Sequence, residues 1–130
     1  MNEVYEFLKK CKPFYVATVE GDQPRVRPFG ALDLFNGNIY LITARPKNVS
    51  NQITANPKVE ICGYDGEKWI RIKATLVEET NREAKAHMLE ENPNLKKRYT
   101  VEDDIGRMLC IKDAVATISS FTEQPREIKF

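Results

Sequence analysis

The sequence contains few of the residues that hold metals or cross-link small domains. Its 130 residues include three cysteines, Cys11, Cys62 and Cys110, and a single histidine, His87. The cysteines are odd in number, widely separated and form no C-x-x-C pair, which argues against both a disulfide framework and a cysteine-rich zinc site. One histidine cannot supply a histidine-rich metal site. We therefore expect free thiols in a reducing compartment, and no metal.

Charge of one sign and long apolar runs are also absent. Twenty basic residues nearly cancel 19 acidic ones, giving a formal net charge of +1. This balance leaves no excess of positive charge that would attract nucleic acid or an anionic membrane. No segment approaches the length of a membrane span, and the amino terminus lacks the basic and apolar regions of a signal peptide. The sequence thus predicts a cytoplasmic protein with no nucleic-acid or membrane partner.

Sequence motifs of the common catalytic sites are missing. There is no P-loop, no G-x-G-x-x-G, no G-x-S-x-G and no H-E-x-x-H. His87 is interpreted as a surface or packing residue, with axial ligation of a heme as the alternative. We therefore assign no catalytic residue, and expect any redox chemistry to come from a bound cofactor.

Segments rich in β-branched and aromatic residues dominate what is present. Strands are predicted at residues 14–19, 25–35, 39–43, 59–64, 69–77 and 108–120, with a further edge strand at 125–130. Asn36-Gly37 and Asp65-Gly66 suit tight hairpin turns, and Lys112-Asp113 suits a bulge. About six antiparallel strands favour a small closed barrel over a parallel sheet.

Short helices are predicted between and before these strands. The first is an amphipathic segment ended by Pro13, and the second runs from Pro46 to about Ala55. Thr80 and Glu83 form a capping-box pattern that opens a third helix, which ends at Asn92-Pro93, with a short helical piece at residues 95–99. No repeat or linker interrupts the chain, so one domain over residues 1–130 is expected.

Basic side chains near two strand ends suggest an anion site. Arg25 and Arg27 lie two residues apart on one strand face, which by itself is also typical of a solvated surface. Thr43 and Lys47 flank the start of the second helix, whose free amides favour negative charge. We expect the tight turn to place both sets on neighbouring strands. Trp69 is interpreted as a dimer contact or a wall against an aromatic ring.

An ordered set of segments gives the sequence a family resemblance. The segments are residues 14–19, 23–28, 38–43, Lys47 with 52–53, 56–59 and 69–77. In this order they resemble the pyridoxamine 5′-phosphate oxidase-like, or flavin-binding split-barrel, superfamily. The resemblance is strongest to its short bacterial members, the general stress and nitroimidazole-resistance proteins.

The resemblance implies a fold, a cofactor and a site. The fold is mainly β (α+β), a six-stranded antiparallel split β-barrel with a few short peripheral helices. The cofactor is FMN, bound at the interface of a homodimer, so that Trp69 serves the flavin held mainly by the other chain and a monomer is incompetent. The implied cofactor-binding residues are Arg25, Arg27, Pro28, Phe29, Thr43, Lys47, Asn48 and Trp69.

The resemblance also implies an activity. We expect an FMN-dependent oxidoreductase that passes electrons from a reduced donor to a small organic acceptor. The chain is short and ends at residues 126–130 without the segment that binds the vitamin substrate, so pyridoxamine 5′-phosphate oxidation itself is not expected. The alternatives are a non-catalytic flavin-binding or flavin-sensing protein, and the same barrel binding heme or a deazaflavin.

Overall fold

A computed structural model describes residues 1–130 of the chain as three α-helices, one 3₁₀ helix and eight strands. The helices are α1 (Asn2–Lys10), α2 (Asn48–Ala55) and α3 (Arg82–Glu91), and the 3₁₀ helix is Pro93–Lys97. The strands are β1 (Phe14–Glu20), β2 (Gln23–Phe29), β3 (Asp33–Phe35), β4 (Asn38–Ala44), β5 (Lys58–Tyr64), β6 (Trp69–Glu79), β7 (Gly106–Ser119) and β8 (Arg126–Lys129). None of the helices has the length and hydrophobicity needed to cross a bilayer.

All the strands belong to one antiparallel sheet. Their order is β2-β1-β5-β6-β7-β4-β3, and β8 pairs with β7 beside this path. The mainly β, antiparallel split-barrel fold is confirmed, with eight strands where about six were expected. The predicted strand at 25–35 is two strands, because residues 30–32 leave the sheet, and the predicted edge at the tail is β8.

Residues with positive φ shape the sheet at two places, as their sequence context predicts. Asn36 (φ 49°) and Gly37 (φ 73°) form the two-residue turn between β3 and β4. Asp113 (φ 49°) lies in β7 where the register with β6 shifts, so that two residues of β7 face one of β6. The predicted bulge is therefore present.

Most of the core lies inside the curled sheet. Its larger cluster includes Phe14, Ile61, Ile72 and Leu109 from the inward faces of the strands, and α1 closes one end with Leu8. A smaller cluster fills the space between α3 and the β4–β7 pair, where residues such as Met88 and Met108 pack together. The alternation predicted along β6 is confirmed, since Ile70, Ile72, Ala74 and Leu76 are all buried.

The helix starts differ from the predicted ones by one or two residues. Helix α2 begins at Asn48, because Arg45 and Pro46 form a turn in which the Lys47 amide donates to the Ala44 carbonyl. The capping box at Thr80 is wrong. Asn81 is the N-cap of α3, and its side-chain oxygen accepts from the Glu83 amide at 2.8 Å, whereas the Asn81 amide donates to Glu79.

Gly63 is the position in the sheet where a side chain has no room. A Cβ atom built there would lie 2.9 Å from the Cys11 Cβ and 3.0 Å from its Sγ. We expect Gly63→Ala to lower the free energy of unfolding by about 1–3 kcal/mol, because α1 must move away from β5. Urea denaturation measures the difference.

The matched control is Gly30→Ala, since nothing lies within 4 Å of the corresponding Cβ and the backbone there is not left-handed. Equal stability of the two variants would contradict the tight packing of Cys11 against β5.

Candidate functional site

Two adjoining cavities lie where β2, β4 and α2 meet. The first has a volume of about 540 Å³ and the second about 690 Å³. Arg27, Lys47 and Val49 line both cavities. Of the predicted site residues, Pro28, Phe29 and Thr43 line the first cavity only, and Arg25 and Asn48 line the second only. The structure therefore brings seven of the eight predicted residues together.

The route by which these residues meet differs from the predicted one. The expectation that β2 and β4 are hairpin neighbours is wrong, because Asn36-Gly37 joins β4 to the short strand β3, and β2 pairs with β1. In the sheet order, β1, β5, β6 and β7 separate β2 from β4. Curling of the whole sheet, which its strand twist requires, brings the two strands to the same cavity.

Arg27 is fixed in the wall between the cavities. Its Nη1 atom donates to the Val16 carbonyl at 3.1 Å and to Thr18 Oγ1 at 2.7 Å, and Nη2 donates to Gln52 Oε1 at 2.6 Å. Three of its five N–H groups are used, which leaves two for a ligand. Burial, with a smaller effect from neighbouring Arg25, lowers the pKa of Arg27 from its ordinary value of 12.5. The group still carries its charge at neutral pH.

The start of α2 is open to an anion. Lys47 occupies the N-cap position, no side chain caps the first amides, and no acidic residue lies in the first turn. These amides carry the positive end of the helix dipole. Because Lys47 and Val49 line both cavities, the helix start and the lysine charge act at their shared boundary.

The remaining predicted residues differ in how available they are. Arg25 is bound to Glu20 at 2.9 Å in an exposed ion pair, whereas Thr43 is buried in the cavity wall. Trp69 lies outside both cavities, where its ring is 5.1 Å from that of Phe121. A role for Trp69 at a flavin therefore needs a second subunit.

His87 also lies outside both cavities. Its Nδ1 atom is 2.6 Å from Oδ2 of the buried Asp33, and its ring is 4.7 Å from that of Phe35. The other Asp33 oxygen is buried without a hydrogen-bond partner. These contacts agree with the packing interpretation of His87 and give no support to heme ligation from this residue.

Arg107 is a positioning residue that sequence reasoning missed. It is buried in β7, and its Nη1 atom donates to the Ser50 carbonyl at 2.8 Å, to Ser50 Oγ at 3.0 Å and to Thr54 Oγ1 at 2.9 Å. Its Nε atom donates to Glu78 at 2.8 Å. Arg107 thus binds α2 to the sheet. The available signal was a charged residue at the start of the apolar segment that continues through Met108 and Leu109.

Comparison with known proteins identifies the family. The family model described as pyridoxamine 5′-phosphate oxidase matches residues 1–119. The chain belongs to the pyridoxamine 5′-phosphate oxidase family. Members of this family commonly bind flavin. No match is found among the curated proteins.

Solved structures of this family and fold include a highly similar one. A NimC/NimA family protein from Clostridium acetobutylicum is 40% identical, with a TM-score of 0.96 over 100% of this chain and 92% of that one. General Stress Protein 26 from Bacillus anthracis str. Sterne is 20% identical, with a TM-score of 0.77 over 99% and 97% of the two chains. A heme binding protein from Mycobacterium smegmatis has a TM-score of 0.77 at 11% identity, covering 98% of this chain and 56% of that one. The last two likenesses concern the fold alone.

The ion pairs of Glu78 with Arg45 and Arg107 make the stability of the fold depend on pH. The hydrogen bond from Arg45, together with that from Arg107, holds the pKa of Glu78 below its ordinary value of 4.5, although burial acts in the opposite direction. A carboxylate with a lowered folded pKa stabilises the fold above its unfolded pKa and loses that contribution as the pH falls through the folded value. We expect Glu78→Gln to lower the free energy of unfolding at pH 7 by about 1 kcal/mol. In denaturation measured from pH 7 to pH 3, the deficit should shrink below pH 4.5.

The control for Glu78 is Glu60→Gln. Glu60 pairs with Arg71, whose side chain is 62% exposed, and such pairs contribute little. A pH-independent deficit in Glu78→Gln would contradict the assigned charge interaction.

Proposed function

We propose that this protein binds FMN in the paired cavities and acts as an oxidoreductase that passes electrons from a reduced donor to a small organic acceptor. The observation that carries the proposal is the meeting of Arg27, Lys47 and the uncapped start of α2 at the boundary of the two cavities. Membership of a family that commonly binds flavin supports the same cofactor class. Bound FMN would supply two-electron transfer between the donor and the acceptor.

The residues at the boundary fit the phosphate of FMN. A phosphate carries charge and several strong acceptor oxygens, and helix amides with a lysine are a common way to hold it. Arg27 has two unused N–H groups. Since its other donors are bound to the protein, Arg27 loses little freedom when it binds the ligand, and the site is preorganised.

The first cavity fits the flavin ring system. Its volume of about 540 Å³ lies within the range typical of small-molecule sites. Phe29, Ile42 and Tyr99, all buried, contribute apolar and aromatic wall. A wall of this kind excludes water from the ring and provides aromatic contact, so the protein's part is to hold, orient and shield the cofactor. No side chain is assigned as a proton donor or acceptor.

We further propose that the working form is a homodimer in which the cavities lie at the subunit interface. The outer face of β1, β2 and β5 exposes apolar side chains, with Tyr15 46%, Val26 68% and Tyr64 58% exposed. Pro28 faces Tyr15 in the β1–β2 register and also lines the first cavity, so this apolar face reaches the proposed cofactor site. A second copy of the chain would cover this apolar face and complete the cofactor site. The three free cysteines suit a reducing cytoplasm.

The first test of the cofactor is the absorption spectrum of the purified protein, with mass identification of what denaturation releases. We expect an absorption spectrum with two flavin bands, and release of FMN on denaturation. A heme Soret band, or a colourless protein that does not bind added FMN, would contradict the proposal. If the protein is fully occupied by FMN but no donor reduces any acceptor tested, the result would support the alternative of a flavin-binding protein without turnover.

Lys47 provides the matched test of the phosphate site. We expect Lys47→Gln to raise the dissociation constant of FMN roughly tenfold, because a charged hydrogen bond is lost. The affinity for riboflavin, which has no phosphate, should not change. Fluorescence titration of the apoprotein with both flavins measures the two constants. Lys97→Gln is the control, since Lys97 is exposed and lines neither cavity. An equal loss for FMN and riboflavin would contradict the assignment.

Val26 provides the test of the dimer. We expect the protein to sediment at twice its chain mass of 15.0 kDa, and Val26→Glu to shift it toward the monomer. A buried unpaired charge at the interface is the reason. Ile105→Glu is the control, because Ile105 is an exposed apolar residue in a loop, away from this face. A native protein that sediments as a monomer while retaining FMN would contradict the proposal.

A further inference from the structure

The ion pairs of the protein leave two arginines without a carboxylate partner. Of the eight arginines in the sequence, six are paired with acids, as Arg25 is with Glu20 and Arg126 with Glu3. The two exceptions are Arg27 and Arg98. Both line the first cavity. The unpaired guanidinium groups are therefore concentrated at one place.

Two lysines add to this charge. Lys12, from the segment between α1 and β1, and Lys47 also line the first cavity, and neither forms an ion pair. The one acidic side chain that lines it is Glu91, which lies 3.7 Å from His87 Nε2 at the end of α3. Four positively charged side chains and one carboxylate leave an excess of positive charge in the first cavity. A single phosphate group does not neutralise this excess.

The four cations fall into two sets. Arg27 and Lys47 line both cavities and adjoin the start of α2, where the phosphate of FMN is proposed to bind. Lys12 and Arg98 line the first cavity only, and they come from the α1–β1 segment and from the residue that follows the 3₁₀ helix. The second set is thus carried by different elements from the first.

We propose that Lys12 and Arg98 form a separate anion subsite, which selects a substrate with a carboxylate or similar anionic group on an aromatic or otherwise planar body. This inference rests on the proposed FMN function, because the flavin phosphate would occupy the first set of cations. Arg98 offers a planar fork of donors that matches a carboxylate, and Lys12 offers a point charge. The planar body would stack over the flavin ring, which itself lies against the wall of Phe29 and Tyr99 in the first cavity.

The test compares two ligands that differ in charge. Binding of 4-nitrobenzoate and of neutral 4-nitrobenzyl alcohol to the FMN-loaded protein is measured by calorimetry and by the change in flavin absorbance. We expect the benzoate to bind about tenfold more tightly. Arg98→Gln and Lys12→Gln should each weaken benzoate binding about three- to tenfold, since both side chains are exposed. Binding of the alcohol should not change.

The variants also separate the subsite from the cofactor site. FMN affinity should be unchanged in Arg98→Gln and Lys12→Gln, in contrast to Lys47→Gln. Lys97→Gln is the control, since it removes one charge beside Arg98 without touching the cavity. Equal binding of the two ligands, or a loss of FMN affinity in Arg98→Gln as large as in Lys47→Gln, would overturn the inference.

Failure of the FMN proposal is a distinct result. If the protein does not bind FMN, titration of the ligand-free protein with 4-nitrobenzoate still tests Lys12 and Arg98. The subsite predicts that Arg98→Gln weakens this binding more than Lys47→Gln does. An equal or opposite ranking would overturn it.

Discussion

The buried guanidinium of Arg107 is the interaction on which the candidate site depends. A charge inside a protein requires partners, and Arg107 takes them from two elements that are far apart in sequence: Glu78 on β6, and Ser50 and Thr54 on α2. Because the same arginine satisfies both, α2 cannot move from the sheet without leaving a buried charge unpaired. The position of Lys47, and of the open helix start beside it, follows from that constraint.

The barrel was largely predictable because its signals are local. Alternation along β6, the Asn36-Gly37 turn and the bulge at Asp113 each depend on the preferences of a few adjacent residues. Seven of the eight residues predicted for the candidate site line its cavities, because a strand end followed by a lysine at a helix start is a local pattern. Their association was derived incorrectly, because the meeting of β2 with β4 arises from the curvature of the entire sheet, which no short segment encodes.

The residues that sequence reasoning overlooked act through distant partners. Arg107 and Arg98 look like ordinary basic residues in the sequence, and only the ion-pair pattern distinguishes them: one is buried among acceptors, the other lacks an acidic partner at a cavity. The same comparison lowers the importance of Arg25, whose charge is already balanced by Glu20. In a chain with nearly equal numbers of acidic and basic residues, the net charge does not show where an anion could bind. The basic side chains that lack an acidic partner are more informative.

The arrangement around β7 has a consequence for the association of chains. Along one edge this strand is shared by two shorter partners, with β4 covering its first residues and β8 its last, and Phe130 exchanges two backbone hydrogen bonds with Ala114 where the bulge leaves the ladder. An uncovered strand edge is a template for pairing with another molecule. The carboxyl-terminal strand therefore covers this part of the β7 edge and keeps it from pairing with another chain.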